Sequence, residues 1–155
     1  MKKIVKHITN LGAALAVATS PVLFGAHPAE ASTTLDDLAN FATGRCLDDS
    51  TAYGLRGFSC NNSSYQFWWS TQNSNGTWTL RNDYTGRCLD DSTAYGNDVL
   101  RGYSCNGLAY QQWTALGAFT YRNLATGRCL DDSTAYGNDV LRGYSCNGSA
   151  YQHWV

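Results

Sequence analysis

Residues Thr43-Gly44-Arg45-Cys46-Leu47-Asp48-Asp49-Ser50-Thr51-Ala52-Tyr53-Gly54 recur unchanged at 85–96 and again at 126–137. Each copy runs on into Leu-Arg-Gly-aromatic-Ser-Cys-Asn, at 55–61, 100–106 and 141–147. Each then ends in Tyr-Gln-x-Trp, at 65–68, 110–113 and 151–154. The first Cys of the copies is Cys46, Cys88 and Cys129, so the period is about 41 residues. Self-similarity at such a period marks one supersecondary unit used repeatedly. A single unit of this size cannot bury a core, whereas three closing on one another can. The boundaries fall at about 35–78, 79–119 and 120–155.

The unit reads as β-structure. No segment after residue 31 sustains a 3.6-residue apolar period, and short runs are bounded by Gly, Asn and Asp. Thr77-Trp78-Thr79-Leu80-Arg81 alternates as a strand does, after a Ser74-Asn75-Gly76 turn. Leu100 to Ser104 is a second candidate, with Arg101 and Tyr103 on one face. About four short strands fit each repeat, which predicts an all-β, threefold unit of about twelve strands without open edges. Trp68, Trp113 and Trp154, with Leu and Phe, are the residues bulky enough to fill its centre.

The 155 residues also include a segment that need not fold. All three Lys lie within the first six residues, and a mostly apolar run, Leu11–Gly25, precedes Ala29-Glu30-Ala31. That order is the pattern of a secretory signal peptide over 1–31. The remaining domain, 32–155, holds 8 Arg, 11 Asp, no Lys and no Glu, for a net charge of −3. Such a surface offers no basic patch for phosphates, so no nucleic acid is expected as partner. No mature run is long enough to span a bilayer.

All six Cys lie beyond the leader, and an even count in an exported chain points to disulfides. Six Cys allow 15 pairings. The repeat symmetry makes Cys46–Cys60, Cys88–Cys105 and Cys129–Cys146 the simplest set. Each bridge would contribute roughly 3 kcal/mol by loop closure. The Cys gaps are not zinc spacings, and the Asp pairs lack EF-hand spacing, so no metal and no cofactor are expected.

Three Gly-x-Cys-Leu-Asp motifs in register with three Gln-x-Trp motifs resemble the ricin-B-type β-trefoil lectins, also classed as carbohydrate-binding modules of family 13. The resemblance covers about 35–155 and implies a twelve-stranded trefoil with one shallow sugar site per repeat. It implies that Asp48, Asp90 and Asp131 accept hydrogen bonds from adjacent sugar hydroxyls. Phe58, Tyr103 and Tyr144 would stack on the sugar face. Tyr65, Tyr110 and Tyr151, beside Gln66, Gln111 and Gln152, would complete the site. Galactose-binding members usually carry Asn where this chain has those Tyr. The Tyr, with Asn61, Asn106 and Asn147 after the second Cys, is more similar to a high-mannose-binding branch, which leaves galactose-type and mannose-type ligands both open. The chemistry suits a sugar in either case, because a carboxylate makes charge-assisted bonds to hydroxyls and a flat ring covers a C–H face.

Each assignment has a plainer competitor. The first acid of each Asp pair can cap its own turn instead of meeting ligand. The second acids, Asp49, Asp91 and Asp132, point to the opposite side of an extended strand, and a turn role is expected for them. Arg56, Arg101 and Arg142 read as members of surface Arg–Asp pairs. The Gln residues orient the site, and Tyr53, Tyr95 and Tyr136 rim it or pack beneath it. His153 occurs in one repeat only.

The sequence thus predicts a secreted, monomeric carbohydrate-binding protein and not an enzyme. After residue 31 there is one His, no Lys and no Glu, and no nucleophile–base set can be assembled. The alternative is a trefoil interaction module such as a protease inhibitor, which needs one distinctive loop where this chain has three alike. Repeat 1 joins Gly54 directly to Leu55, lacking the Asn-Asp-Val of 97–99 and 138–140, and has Phe58 for Tyr. It is expected to be the weakest site. Replacing a ligand carboxylate by Ala is expected to leave the melting temperature nearly unchanged.

Overall fold

The computed structural model describes residues 32–93, 98, 100–117, 119–134 and 139–155. The expected leader, 1–31, and two of the loop tyrosines, Tyr95 and Tyr136, lie outside the described residues. Eleven strands occur among those described. In repeat 1 they are β1 (Thr33–Asp37), β2 (Arg45–Ser50), β3 (Gly54–Ser59) and β4 (Phe67–Gln72). β5 (Trp78–Asn82), β6 (Cys88–Asp90), β7 (Arg101–Tyr103) and β8 (Trp113–Leu116) follow. Repeat 3 supplies β9 (Thr120–Asn123), β10 (Cys129–Asp131) and β11 (Arg142–Tyr144). Each Tyr-Gln sits in a one-turn 3₁₀ segment, at 64–66, 109–111 and 150–152.

All pairings are antiparallel. β4 joins β1 and β5, β5 joins β8 at Trp78↔Trp113, and β8 joins β9. The chain ends close the ring: Ala39 and Val155 exchange backbone hydrogen bonds at 2.7 and 2.8 Å, and Trp154 N donates to Phe119 O at 2.8 Å. An Asn40↔Trp154 bridge thus stands where a twelfth strand was expected. The hairpins β2–β3, β6–β7 and β10–β11 occupy equivalent places in the three repeats.

The core is built from equivalent positions. Leu47, Leu89 and Leu130 meet Trp68, Trp113 and Trp154, all fully buried, with Leu100 and Leu141 and half-buried Leu55 beside them. Each indole Nε1 donates to the carbonyl of its own repeat's core Leu, at 2.9, 3.1 and 3.1 Å. The Trp therefore fills the centre and also satisfies a buried backbone acceptor. β5 turns Leu80 and Asn82 inward and Arg81 outward, as its alternation predicts. Its turn closes through Gly76, at φ +80°, donating to Asn73 O.

The three bridges are Cys46–Cys60, Cys88–Cys105 and Cys129–Cys146, all within repeats, as the symmetry predicts. Each ties the start of a hairpin to a residue just past its end, shortly before Gln-x-Trp. The first Cys of each pair is fully buried, whereas Cys60, Cys105 and Cys146 are exposed. Each bridge therefore anchors a surface segment to the core.

Trp113→Phe keeps a ring in the core but strands the Leu89 carbonyl. Denaturant unfolding should show a loss of about 1–3 kcal/mol for the orphaned acceptor plus the lost ring volume. A variant as stable as the parent would show that this hydrogen bond is not needed.

Candidate functional site

Consecutive acids in each Cys-Leu-Asp-Asp run serve different partners, because a strand sends successive side chains to opposite sides. Asp48 turns toward its own repeat. Arg56 Nε donates to its Oδ1 at 3.0 Å and Gln66 Nε2 to its Oδ2 at 3.3 Å. Asp90 is held likewise by Arg101 (2.9 Å) and Gln111 (3.1 Å), and Asp131 by Arg142 (2.8 Å) and Gln152 (3.1 Å). Backbone N–H groups of Ser92 and Ser133 also reach Asp90 and Asp131 at 3.1 Å, so these two acids cap a local turn as well.

The three carboxylates are 1–2% exposed. The Arg–Asp contact is therefore not the surface pair expected from sequence, since its carboxylate is out of solvent. The same burial removes the ground for expecting an unchanged melting temperature, since removing Asp90 leaves Arg101 and Gln111 without this acceptor in the interior.

Above each carboxylate the guanidinium lies over the predicted stacking ring. Arg56 is 3.9 Å from the Phe58 centroid, and Arg101 and Arg142 are each 4.0 Å from Tyr103 and Tyr144. Tyr103 and Tyr144 are 42% and 38% exposed. Tyr53 is 74% exposed, 4.7 Å from Arg56, and so stands at the rim.

The Gln residues are spent on structure. Each Nε2 also donates to a Ser carbonyl at 3.0 Å, and each Oε1 accepts the N–H of Asn61, Asn106 or Asn147 at 2.8–2.9 Å. Those exposed Asn use Oδ1 to accept a backbone N–H two residues on, at 2.9–3.0 Å. Tyr65, Tyr110 and half-exposed Tyr151 precede the Gln in each 3₁₀ turn, with Tyr65 edge-on to Tyr84 at 4.5 Å. The structure thus brings Asp, Arg, ring, Gln and Asn together once in each repeat.

The second acids overturn the turn reading. Asp49 is clamped by the next repeat: Arg87 donates through Nε and Nη2 at 2.8 and 2.6 Å, and Thr85 Oγ1 also donates. Asp91 is held by Arg128 and Thr126, and Asp132 by Arg45 and Thr43, so the three clamps form a closed cycle. All three acids are fully buried. Burial pushes the Asp91 and Asp132 carboxyls above the usual carboxylate range, against the opposing pull of Arg and Thr. With the folded pKa raised, their contribution to stability is complete below the unfolded value of about 3.8. It is lost as the pH rises through the folded value.

The clamp explains two sets of glycines. Gly44, Gly86 and Gly127 have φ of +66° to +69°, which lets Thr and Arg on either side reach one carboxylate. A Cβ on Gly57 would meet Asp132 Oδ1 at 2.8 Å, and Gly102 and Gly143 abut Asp49 and Asp91 more tightly still.

Sequence reasoning also missed Asn40, Asn82 and Asn123. Each donates Nδ2 to the carbonyl of Tyr151, Tyr65 or Tyr110 in the preceding repeat, at 2.7–2.8 Å. Each Oδ1 organises the following Thr-Gly-Arg turn. The signal was present, since each Asn stands three residues before Thr-Gly-Arg.

A sequence model of the ricin-type β-trefoil lectin domain matches residues 34–154. The chain belongs to that family. No curated protein sequence matches it. Among solved structures it is similar to the designed threefold-symmetric protein ThreeFoil, at 26% identity and TM-score 0.67, covering 77% of this chain and 95% of that one. It is also similar to an exo-β-1,3-galactanase from Clostridium thermocellum, at 26% identity and TM-score 0.65, over 78% of this chain and 29% of the enzyme. The hemolytic lectin CEL-III matches at 24% identity and TM-score 0.65, over 77% of this chain and 29% of the lectin. The chain spans nearly all of ThreeFoil but under a third of the other two. The lectin-family trefoil is therefore the whole of the matched region, and its repeat carries the Asp–Arg–ring cluster three times.

Arg128→Ala would leave Asp91 buried and unpaired, and should lower the unfolding free energy by about 3–5 kcal/mol. The double variant Asp91→Ala/Arg128→Ala should lose less than the two single losses combined. Strictly additive losses in denaturant titrations would show that the two residues do not act as a pair.

Proposed function

We propose that the protein is a secreted, non-enzymatic lectin with up to three shallow sugar sites, one per repeat, binding glycans or polysaccharide multivalently as a monomer. The observation that carries this reading is the repetition of one polar and aromatic cluster in all three repeats. The core, the clamps and the buried Gln account for the repeated Leu, Trp, Asp, Arg and Gln, but not for the exposed Tyr103, Tyr144, Asn61, Asn106 and Asn147. The name of the similar galactanase, that of a carbohydrate-acting enzyme, is in keeping with it.

In each site the ring supplies the platform for a sugar's C–H face. The exposed Asn and the Tyr before Gln supply the rim. In the free site the carboxylate of Asp48, Asp90 or Asp131 accepts from Arg Nε, and a sugar hydroxyl reaches it by displacing that donor. A sugar that gains one carboxylate and one ring binds with about 4 kcal/mol, a Kd on the order of 1 mM. Three sites on one rigid body raise affinity for a branched or polymeric ligand by roughly 10²-fold where their spacing fits. Galactose-type and mannose-type sugars both suit this chemistry.

The test is a glycan microarray, followed by titration of single variants against the best polymer. Asp90→Ala and Asp131→Ala should each weaken binding more than Asp48→Ala, because repeat 1 lacks the Tyr hydroxyl and three loop residues. Each should also lower the melting temperature, given the burial of these acids. No binding to any immobilised glycan at high protein concentration would sink the reading. Free sugar should displace the protein from its target, an outcome that a protease-inhibitor-like module would not show.

The leader is removed after Ala31 on this account. Intact mass of the secreted protein should begin at Ser32, and retention of residues 1–31 would reject the assignment.

A further inference from the structure

The cycle of clamps is threefold in its acids and arginines but not in what covers them. At the boundary of repeats 3 and 1, Asp139 places its carboxylate 3.7 Å from Arg45 Nη1 and its carbonyl 3.1 Å from Gly57 N. At the boundary of repeats 2 and 3, Asp98 does the same, 3.4 Å from Arg128 Nη1 and 3.0 Å from Gly143 N. Repeat 1 has no such Asp, because Gly54 runs directly into Leu55.

The boundary of repeats 1 and 2 shows the consequence. Arg87 Nη1 and Gly102 N have no acceptor among the described residues. The hairpin register that turns Gly57 and Gly143 outward holds for Gly102 too. The Arg87 side chain is 33% exposed, against 14% and 17% for Arg45 and Arg128. Gly102 is half-exposed where Gly57 and Gly143 are buried.

A second asymmetry falls at the same boundary. The cleft between repeats 3 and 1, about 360 Å³, is lined by Ala42, Thr43, Arg45, Thr134, Asp139 and Tyr151. The equivalent residues between repeats 1 and 2 are Tyr84, Thr85, Arg87, Thr51 and Tyr65, with nothing at the place of Asp139. Tyr84 stands where repeats 1 and 3 have Ala42 and Ala125, and it is 59% exposed. Thr51 Oγ1 lies 3.4 Å from the Tyr65 hydroxyl.

The structure assigns to this notch a site for the carboxylate of a sugar acid, a hexuronate. The carboxylate takes the place of the missing Asp, accepting from Arg87 Nη1 and Gly102 N, and the pyranose ring lies against Tyr84. Charge supports this. With Asp49 alone, Arg87 is neutralised once, whereas Arg45 and Arg128 each face two carboxylates. A ligand carboxylate restores the balance of the other two boundaries. That the anion is carried by a sugar rests on the lectin reading, and the anion site itself does not.

The test follows backbone amides by ¹⁵N NMR while galacturonate, galactose or acetate is added. Galacturonate should shift Gly102 in a saturable way, and galactose should not. Acetate should require at least about tenfold higher concentration, since it lacks the ring that meets Tyr84. Inserting Asn-Asp-Val between Gly54 and Leu55 gives repeat 1 the loop length of the other two and fills the notch with the chain's own carboxylate. In that variant the galacturonate response should weaken by about tenfold or more, the factor that a charge-assisted hydrogen bond carries. The insertion leaves the Asp49–Arg87 clamp in place, which Arg87→Gln does not. No shift of Gly102, or an equal response in the insertion variant, would overturn the site. Equal potency of acetate would overturn its assignment to a sugar acid. Gly102 reports on the notch whatever the glycan array shows for Asp90 and Asp131, so either reading can fail alone.

Discussion

The fold depends on a carboxylate from each repeat being held by the next. Asp49, Asp91 and Asp132 are fully buried and find their donors only across a boundary, on Thr85 and Arg87, Thr126 and Arg128, Thr43 and Arg45. In any other docking of the repeats, the acid would be buried without its cation, at a cost of about 3–5 kcal/mol. Core Leu and Trp provide most of the drive to collapse, but apolar contacts are non-directional. The clamp supplies direction: it fixes which face of one hairpin meets which turn of its neighbour. Burial pushes the Asp91 and Asp132 carboxyls up against the opposing pull of Arg and Thr, so the clamp there is made at a cost in desolvation.

The candidate sites follow from the same two-residue run. Because strand side chains alternate, fixing Asp90 toward Arg101 and Gln111 sends Asp91 toward repeat 3. A hairpin that slipped by one residue would misplace both the boundary and the site. The disulfides hold each hairpin at its open end, and Asn40, Asn82 and Asn123 hold the Tyr of the preceding repeat through its carbonyl. The exposed part of each site is thus small. It consists of a ring, an amide and a phenol on a hydrogen-bonded base.

Near-identity of the repeats makes the exceptions informative. An Asp at the place of Asp98 and Asp139, which repeat 1 lacks, would have covered Arg87 and Gly102, and Tyr84 stands where the other repeats have Ala at the same boundary. A shorter loop in one repeat makes one boundary unlike the other two while the Leu and Trp core stays equivalent.

The sequence by itself determined the repeat, the β character, the bridges within repeats and the Trp core. Each depends on a pattern visible in one dimension: a period, an alternation, a paired Cys, a bulky residue at equivalent places. The resemblance in Cys-Leu-Asp and Gln-x-Trp reached the family. Only the tertiary structure decided what the second acids do, because their partners lie 35–38 positions ahead or, for Asp132, 87 and 89 positions back. In the sequence, Asp49 is merely a polar residue in a Gly-bounded loop, for which a turn is the cheapest local explanation. Its role appears once three chain segments meet, since burial is a property of the assembled fold. The same holds for Arg101, whose place between a hidden carboxylate and an exposed ring is set by the packing around it.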